Sequence, residues 1–325
     1  MKTLPHNTSP LWHVLGLGAI GGLFACRLQN AGIPVASCAS ATLQDKSHVT
    51  LTLEEDNTLR QHDISVDDRG PIERLLLTTK AQQSEAAIKA IAHRFQPGAI
   101  VVVLQNGMGV HSMLCDQFPH LQILAATTTE GANRPTPDHI RHAGHGTTWI
   151  GPWQAKDLDA ALQVATEWQN SGLPLEFDAD IARRLWEKLV MNCAINPLTA
   201  LLDCRNGELV RHDETRRVMH RIVKEVMELM QFCGISANEE SLQEKVLAVA
   251  ERTGANISSM LQDQRAGRTT EIAYINGFVA AMAARAGKPA KLNQWLTDQV
   301  QQCQRHTPAS LAQCLAQVTA LDLVK

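Results

Sequence analysis

Lys188, Asn192 and Asn196 recur at four-residue intervals in Arg184-Leu185-Trp186-Glu187-Lys188-Leu189-Val190-Met191-Asn192-Cys193-Ala194-Ile195-Asn196-Pro197. On a helix this spacing stacks them along one face with modest drift. The opposite positions, Leu185, Leu189, Val190 and Cys193, are apolar and suit a core. An ammonium beside neutral amides can stabilise negative charge growing on a carbonyl oxygen and then donate a proton. Asn is a poor helix former, so two of them beside one lysine ask for a reason. A solvated lysine with polar neighbours is the bland alternative. Pro197 would either end such a helix or free the carbonyl of Cys193.

A second stretch runs Asn256-Ile257-Ser258-Ser259-Met260, then Gly267-Arg268-Thr269-Thr270-Glu271, and on to Asn276-Gly277. Periodicity predicts a helix over 271–285, with Glu271 in its first turn, where the backbone dipole favours a carboxylate. Capping with Thr269 or Thr270 is an equally open role for Glu271. Ser259 and Glu271 are 12 residues apart, which on one helix leaves them about 120° apart. To reach one site the chain must break between them, and Gly267 is the natural place. Ser259 then reads as a loop or helix-end residue. A third element, Gln105-Asn106-Gly107-Met108-Gly109, follows the apolar run 100–104. Ligands of open α/β sheets collect at the carboxyl ends of strands, which gives Asn106 a candidate role beside the simpler reading of an Asn-Gly turn.

Gly16-Leu17-Gly18-Ala19-Ile20-Gly21 fits G-x-G-x-x-G directly after one apolar run and before a helical one. Gly16 allows the tight turn, Gly18 lets backbone approach a pyrophosphate, and Gly21 lets the helix pack close on the strand. That context is what the motif requires for dinucleotide binding. An NAD-type site places a carboxylate at the end of the second strand. Here that strand ends Val35-Ala36-Ser37-Cys38-Ala39-Ser40-Ala41-Thr42, with no acid before Asp45. Small residues leave room for a 2′-phosphate, and Lys46 or Lys80 could neutralise it, so the balance leans to NADP(H).

The elements that must position these groups change character along the chain. Short β-like runs at 11–15, 35–39, 75–79 and 100–104 alternate with helix-like segments at 23–30 and 84–95, predicting a parallel sheet flanked by helices. Thr-, Gly- and Pro-rich sequence over 120–151 suggests further strands near a sheet edge. Beyond residue 180 helical periodicity takes over, at 181–195, 215–233, 241–253 and 271–285, and in the tail after Gln294. The chain therefore reads as α/β: an N-terminal Rossmann-type dinucleotide-binding domain over 1–179 and an all-α substrate domain over 180–325.

Composition narrows the function classes. The 325 residues carry 30 Lys+Arg against 33 Asp+Glu, a formal charge of −3, with six Trp, six Phe and one Tyr. This gives neither the basic footprint of a nucleic-acid binder nor its stacking platforms. No apolar run reaches the ~20 residues of a membrane span, and the polar first ten residues do not read as a secretory signal. The eight cysteines include no CxxC pair and suit thiols in a reducing cytoplasm. His139, His142 and His145 offer metal-ligand candidates without a zinc framework around them, and no metal is expected. Oligomeric state stays open, a homodimer included.

Taken together, these motifs resemble the ketopantoate reductases (2-dehydropantoate 2-reductases). The similarity spans nearly the whole chain: GLGAIG, LLLTTKA at 75–81, QNGMG at 105–109, TTTEGA at 127–132, LWEKLVMNCAINPLTAL at 185–201, CRNGEL at 204–209 and NISSMLQDQRAGRTTEIAYINGF at 256–278. The resemblance implies reduction of 2-dehydropantoate to (R)-pantoate with NADPH, toward pantothenate and coenzyme A. It implies Lys188 as general acid, and Asn192, Asn196, Asn206 and Ser259 as substrate ligands. Asn106 would touch cofactor and substrate, Glu271 would sit at the same junction, Lys80 would help hold the 2′-phosphate, and Ala132 would line the cofactor. In one departure, family members carry Arg at the end of the second strand, where this chain has Ser40. A reductase of another branched 2-keto acid and an NADP(H)-binding sensor without turnover are the rival expectations.

Overall fold

The buried run Trp12–Leu15 forms β1, and the glycine loop turns the chain into α1 (Ala19–Asn30) and then β2 (Val35–Cys38). A hairpin follows, β3 (His48–Glu55) and β4 (Thr58–Asp67), then β5 (Ile72–Leu77), α2 (Ala81–Ile91), β6 (Phe95–Leu104) and α3 (Val110–Gln117). Four further strands, β7 (Gln122–Thr128), β8 (Gly131–Thr136), β9 (His139–Gly144) and β10 (Thr148–Pro152), lead to α4 (Leu158–Trp168) and β11 (Leu175–Phe177). After these come helices: α5 (Ile181–Leu202), α6 (Asp213–Phe232), α7 (Glu239–Arg252), α8 (Ser259–Arg265), α9 (Asn276–Arg285) and α10 (Lys291–Cys303). This computed structural model describes residues 10–38, 46–67, 69–169 and 174–303. Its contacts divide it into two units, Met1–Gln105 with Val110–Ala182, and Asn106–Gly109 with Arg183–Lys325.

In the first unit eleven described strands form one sheet in the order β11-β10-β7-β6-β5-β1-β2-β4-β3-β9-β8. The stretch from β7 to β4 is parallel throughout. Its inner strands β7, β6, β5, β1 and β2 are buried on both faces in the core, as the continuous runs Leu75–Leu77 and Ile100–Leu104 demand, while β4 buries only His62 and Ile64. Trp12, Phe24 and Trp168 anchor the core under α1 and α4, the two indoles 4.7 Å apart. In the second unit, Leu185, Leu189, Val190 and Cys193 of α5 are buried, as are Met219, Ile222, Val226 and Met230 of α6.

Four expectations need correction. The sheet is mixed: β3/β4, β7/β10 and β8/β9 pair antiparallel. The β3/β4 hairpin turns on Asp56 and Asn57, both with positive φ (48° and 60°), a two-residue turn matched to strand twist. Within 120–151, β8 and β9 do end the sheet, but β7 lies inside it, between β6 and β10. The helix expected over 84–95 stops at Ile91, and Phe95 already belongs to β6, so Pro97-Gly98 lies in that strand's exposed lead and not in a separate turn. Finally, the helix expected over 271–285 starts only at Asn276. Glu271 precedes a single 3-10 turn, Ile272–Tyr274, and makes no side-chain cap.

Candidate functional site

In the first unit the crevice is set by topology. The chain leaves β1 through α1 toward β2 and leaves β5 through α2 toward β6 on the other side. The carboxyl ends of β1 and β5 therefore flank a switch point, where ligands of such sheets bind. Gly16 (φ +110°) packs so tightly that a Cβ would lie 2.6 Å from the Thr79 nitrogen. A Cβ on Gly21 would lie 2.0 Å from the Gly16 carbonyl oxygen, which accepts from Thr78 Oγ1 at 2.7 Å. Gly18 differs: it caps α1 without a side chain, and the space its Cβ would take is empty for 4 Å. Leu17 is buried, while Ala19 and Ile20 open α1 half-buried. Small residues, open space and the uncapped amides of a helix N-terminus fit a pyrophosphate. Lys80, half-buried, is the N-cap residue of α2 in the loop after β5.

Ala132 lies on β8, which packs against α1. From the same strand Arg134 donates to the Leu17 carbonyl in the glycine loop, and its Nε donates to the Pro137 carbonyl at 3.0 Å. The sequence reading missed Arg134, because its partner is a backbone oxygen 117 residues away. Ser40, Thr42 and Asp45 lie outside the described residues, and Lys46 is exposed.

In the second unit α5 carries Lys188, Asn192 and Asn196 on one stripe, the first two half-buried and Asn196 8% exposed. The helix does not end at Pro197 but runs through it to Leu202. Two contacts of Thr199 tie this helix's end to Ser258, the neighbour of the expected residue Ser259. Thr199 Oγ1 donates to the Asn196 carbonyl at 2.8 Å and shares a 2.7 Å hydrogen bond with Ser258 Oγ. Ser258, buried, is also the cap of α8, accepting from the Leu261 amide. Its neighbour Ser259 is thus exposed at the helix start, and Gly267 (φ +64°) follows the end of α8, where the break was expected.

Asn206 opens a 3-10 turn and donates through Nδ2 to Thr253 Oγ1 at 2.9 Å. The amides of Asn206 and Gly207 donate to the carbonyls of Asn256 and Gly254, binding this turn to the loop before α8. Gly207 and Gly254 approach so closely that a Cβ on Gly207 would lie 2.8 Å from the Gly254 Cα.

The segment Asn106–Gly109 packs with the helices. Met108 donates its amide to the Tyr274 carbonyl at 2.9 Å, and Asn106 Nδ2 donates to Glu271 Oε2 at 3.4 Å. Burial pushes the Lys188 ammonium pKa down to about 8, and the Glu271 carboxylate raises it against that trend. A lysine of this kind is protonated at neutral pH yet gives up its proton readily, which suits a donor to a developing alkoxide. The second unit thus joins Lys188, Glu271 and Asn106 electrostatically or by hydrogen bond, with Asn192 and Asn196 on the same helix face as Lys188.

The histidine cluster has another fate. His139 lies 2.9 Å from Glu54, His145 3.0 Å from Asp56, and His142 2.5 Å from the buried Glu130, with Arg27 of α1 beside it. These pairs tie β9 and β8 to α1 and β3, and no group of His, Cys, Asp and Glu that could hold a metal exists among the described residues. No described helix is long and apolar enough to cross a membrane.

Comparison with known proteins finds matches over most of the chain. Residues 12–155 fit the family model of ketopantoate reductase PanE/ApbA, and residues 180–304 that of its C-terminal part. The chain is 36% identical over 288 residues to 2-dehydropantoate 2-reductase of Vibrio cholerae, covering 88% of this chain and 95% of that one. Among solved structures, a D-mandelate dehydrogenase with NADH and anilino(oxo)acetate is similar in fold, with a TM-score of 0.84 at 22% identity over 91% of this chain and 99% of that one. A probable 2-dehydropantoate 2-reductase from Bacillus subtilis has a TM-score of 0.75 at 26% identity, over 90% and 99%. With family models matching residues 12–155 and 180–304 and relatives more than 30% identical over most of its length, the chain belongs to the ketopantoate reductase PanE/ApbA family.

Proposed function

We propose that this protein reduces the C2 carbonyl of 2-dehydropantoate to the hydroxyl of (R)-pantoate, using NADPH, as a step toward pantothenate and coenzyme A. The observation that carries this reading is the Lys188 ammonium, its pKa pushed down to about 8 and countered by Glu271, on the helix face that also bears Asn192 and Asn196. NADPH supplies the hydride when bound. The open space over Gly18 and the first-turn amides of α1 support Gly16–Gly21 as the pyrophosphate cradle, and Lys80 at the cap of α2 is a cation that suits a 2′-phosphate. Ala132 would line the cofactor from β8.

As the carbonyl oxygen gathers charge, Lys188 holds it by hydrogen bond and then passes it a proton. Glu271 keeps Lys188 charged until that moment and, with Asn106, holds the reacting end of the site in register. Asn192, Asn196, Asn206 and Ser259 offer neutral donors for the carboxylate and the distal hydroxyl, which orients an anionic substrate without a rival charge at the carbonyl. The free thiols Cys26, Cys38 and Cys193, all buried, suit a cytoplasmic location.

The test is the decay of NADPH absorbance with 2-dehydropantoate, run beside NADH and a panel of other branched 2-keto acids. Rapid decay with NADPH and 2-dehydropantoate is expected. Tight NADPH binding with no decay on any keto acid would replace the reductase with a sensor.

A further inference from the structure

The proline in α5 leaves a backbone debt that a distant side chain settles. Proline lacks an N–H, and its ring crowds the carbonyl four residues earlier, so Pro197 deprives the Cys193 carbonyl of its helical partner. Cys193 is fully buried, where an unpaired carbonyl is costly. Asn276, also fully buried, donates from Nδ2 to that carbonyl at 3.1 Å. The same Nδ2 donates to Asn293 Oδ1 at 2.9 Å, and Asn293 Nδ2 donates to Glu225 Oε2 at 2.8 Å. Glu225 closes the chain by accepting the first-turn amides of α10, from Leu292 at 2.9 Å and Asn293 at 3.0 Å. One polar thread therefore runs from α5 through α9 and α10 to α6, inside an otherwise apolar core.

Its two ends matter for the chemistry. Cys193 lies between Asn192 and Asn196 on α5, so the bonding of this carbonyl bears on how the two amides are aimed. Asn276 begins α9 five residues after Glu271, and the chain between them is a single 3-10 turn. The bond from Asn276 to Cys193 thus registers the segment that carries Glu271 against the helix that carries Lys188, Asn192 and Asn196. We propose that Asn276 is a positioning residue for substrate binding, acting through the carbonyl that Pro197 frees. This rests on reading Asn192 and Asn196 as substrate ligands.

Replacing Pro197 by Ala returns an N–H at position 197, which can serve the Cys193 carbonyl itself. The role of Asn276 is therefore read by a double-mutant cycle on the full-length enzyme, with Asn196→Ala as a control for the underlying reading. Asn276→Ala should raise the KM for 2-dehydropantoate about tenfold, the scale of one lost buried hydrogen bond, while the NADPH Kd stays within about twofold. In the Pro197→Ala background the same substitution should change KM by less than about threefold, because the carbonyl already has a donor.

A KM unmoved by Asn276→Ala while Asn196→Ala raises it would overturn the positioning role and leave the substrate reading standing. A KM unmoved by Asn196→Ala would remove that reading, and this proposal with it. An equal effect of Asn276→Ala in both backgrounds would show that the Cys193 carbonyl is not the route. If Asn276→Ala does not fold, Asn276→Ser, whose hydroxyl is too short to span the gap, takes its place in both backgrounds.

Discussion

Lys188 is held between two opposing influences. Burial lowers its pKa to about 8, and Glu271 pulls it upward. A proton donor must be protonated when hydride arrives, so kcat/KM for reduction should be level below pH 8 and fall about tenfold per unit above it. Glu271→Gln removes the group that favours the charged ammonium, so the descending limb must move to lower pH. A pH profile of the variant checks this, and a limb that stays in place would assign the titration to another group. The same arithmetic bears on stability. The folded pKa lies below the ordinary lysine value, so the unfolded chain binds more protons between about pH 8 and 10.5, and stability rises with pH through that window. At neutral pH the buried ammonium is a cost the fold carries for its chemistry.

Elements place such residues, and here an outer strand buttresses the most motif-like part of the chain. The carbonyl of Leu17 sits inside the loop proposed to present N–H groups to phosphate, and Arg134 on β8 holds that carbonyl by hydrogen bond. Arg134→Ala should weaken NADPH and NADH binding by a similar factor, roughly three- to tenfold, since the contact reaches the loop shared by both and not the 2′-phosphate. Titration by fluorescence would show it, and a loss confined to NADPH would instead make Arg134 a reader of that phosphate. The glycine loop was legible because its spacing is itself a backbone requirement, which Gly16 and Gly21 meet against Thr79 and Thr78. The Lys188 stripe was legible because helical period alone aligns it. Arg134 was not, since a side chain serving a remote carbonyl leaves no periodic trace. The β3/β4 hairpin carried a signal that went unread: Asp56-Asn57 between alternating strands is a two-residue turn pattern. Glu271 was misplaced by one turn because its helix-like pattern hides the 3-10 segment before Asn276.

For the molecule as a whole, the proposed function divides the cofactor and substrate residues between the two units, a division that solution exchange can test. The glycine loop and Lys80, proposed to hold the cofactor, belong to the unit built on the sheet, and Lys188, Asn192, Asn196, Asn206 and Ser259, proposed to meet the substrate, to the helical unit with Asn106–Gly109. Helix N-termini leave their first amides without intrahelical partners, so in the free protein these exchange readily. NADPH alone should therefore slow exchange at the starts of α1 and α2, around 16–22 and 79–84, where uncapped amides meet phosphate. Adding 2-dehydropantoate with NADP+ should extend protection to the first-turn amides of α8 at 259–260, while the 206–208 turn, whose Asn206 and Gly207 amides already donate to the Asn256 and Gly254 carbonyls, should change little. The interior of α5 should change little, because its amides are already bonded and its contribution is made by side chains. Hydrogen exchange read by mass spectrometry on the full chain distinguishes the cases. Protection by NADPH confined to the helical unit would reverse the division of labour. Protection of the α1 and α2 starts, followed by the α8 start only when the keto acid is present, would assign cofactor and substrate to separate parts of one chain.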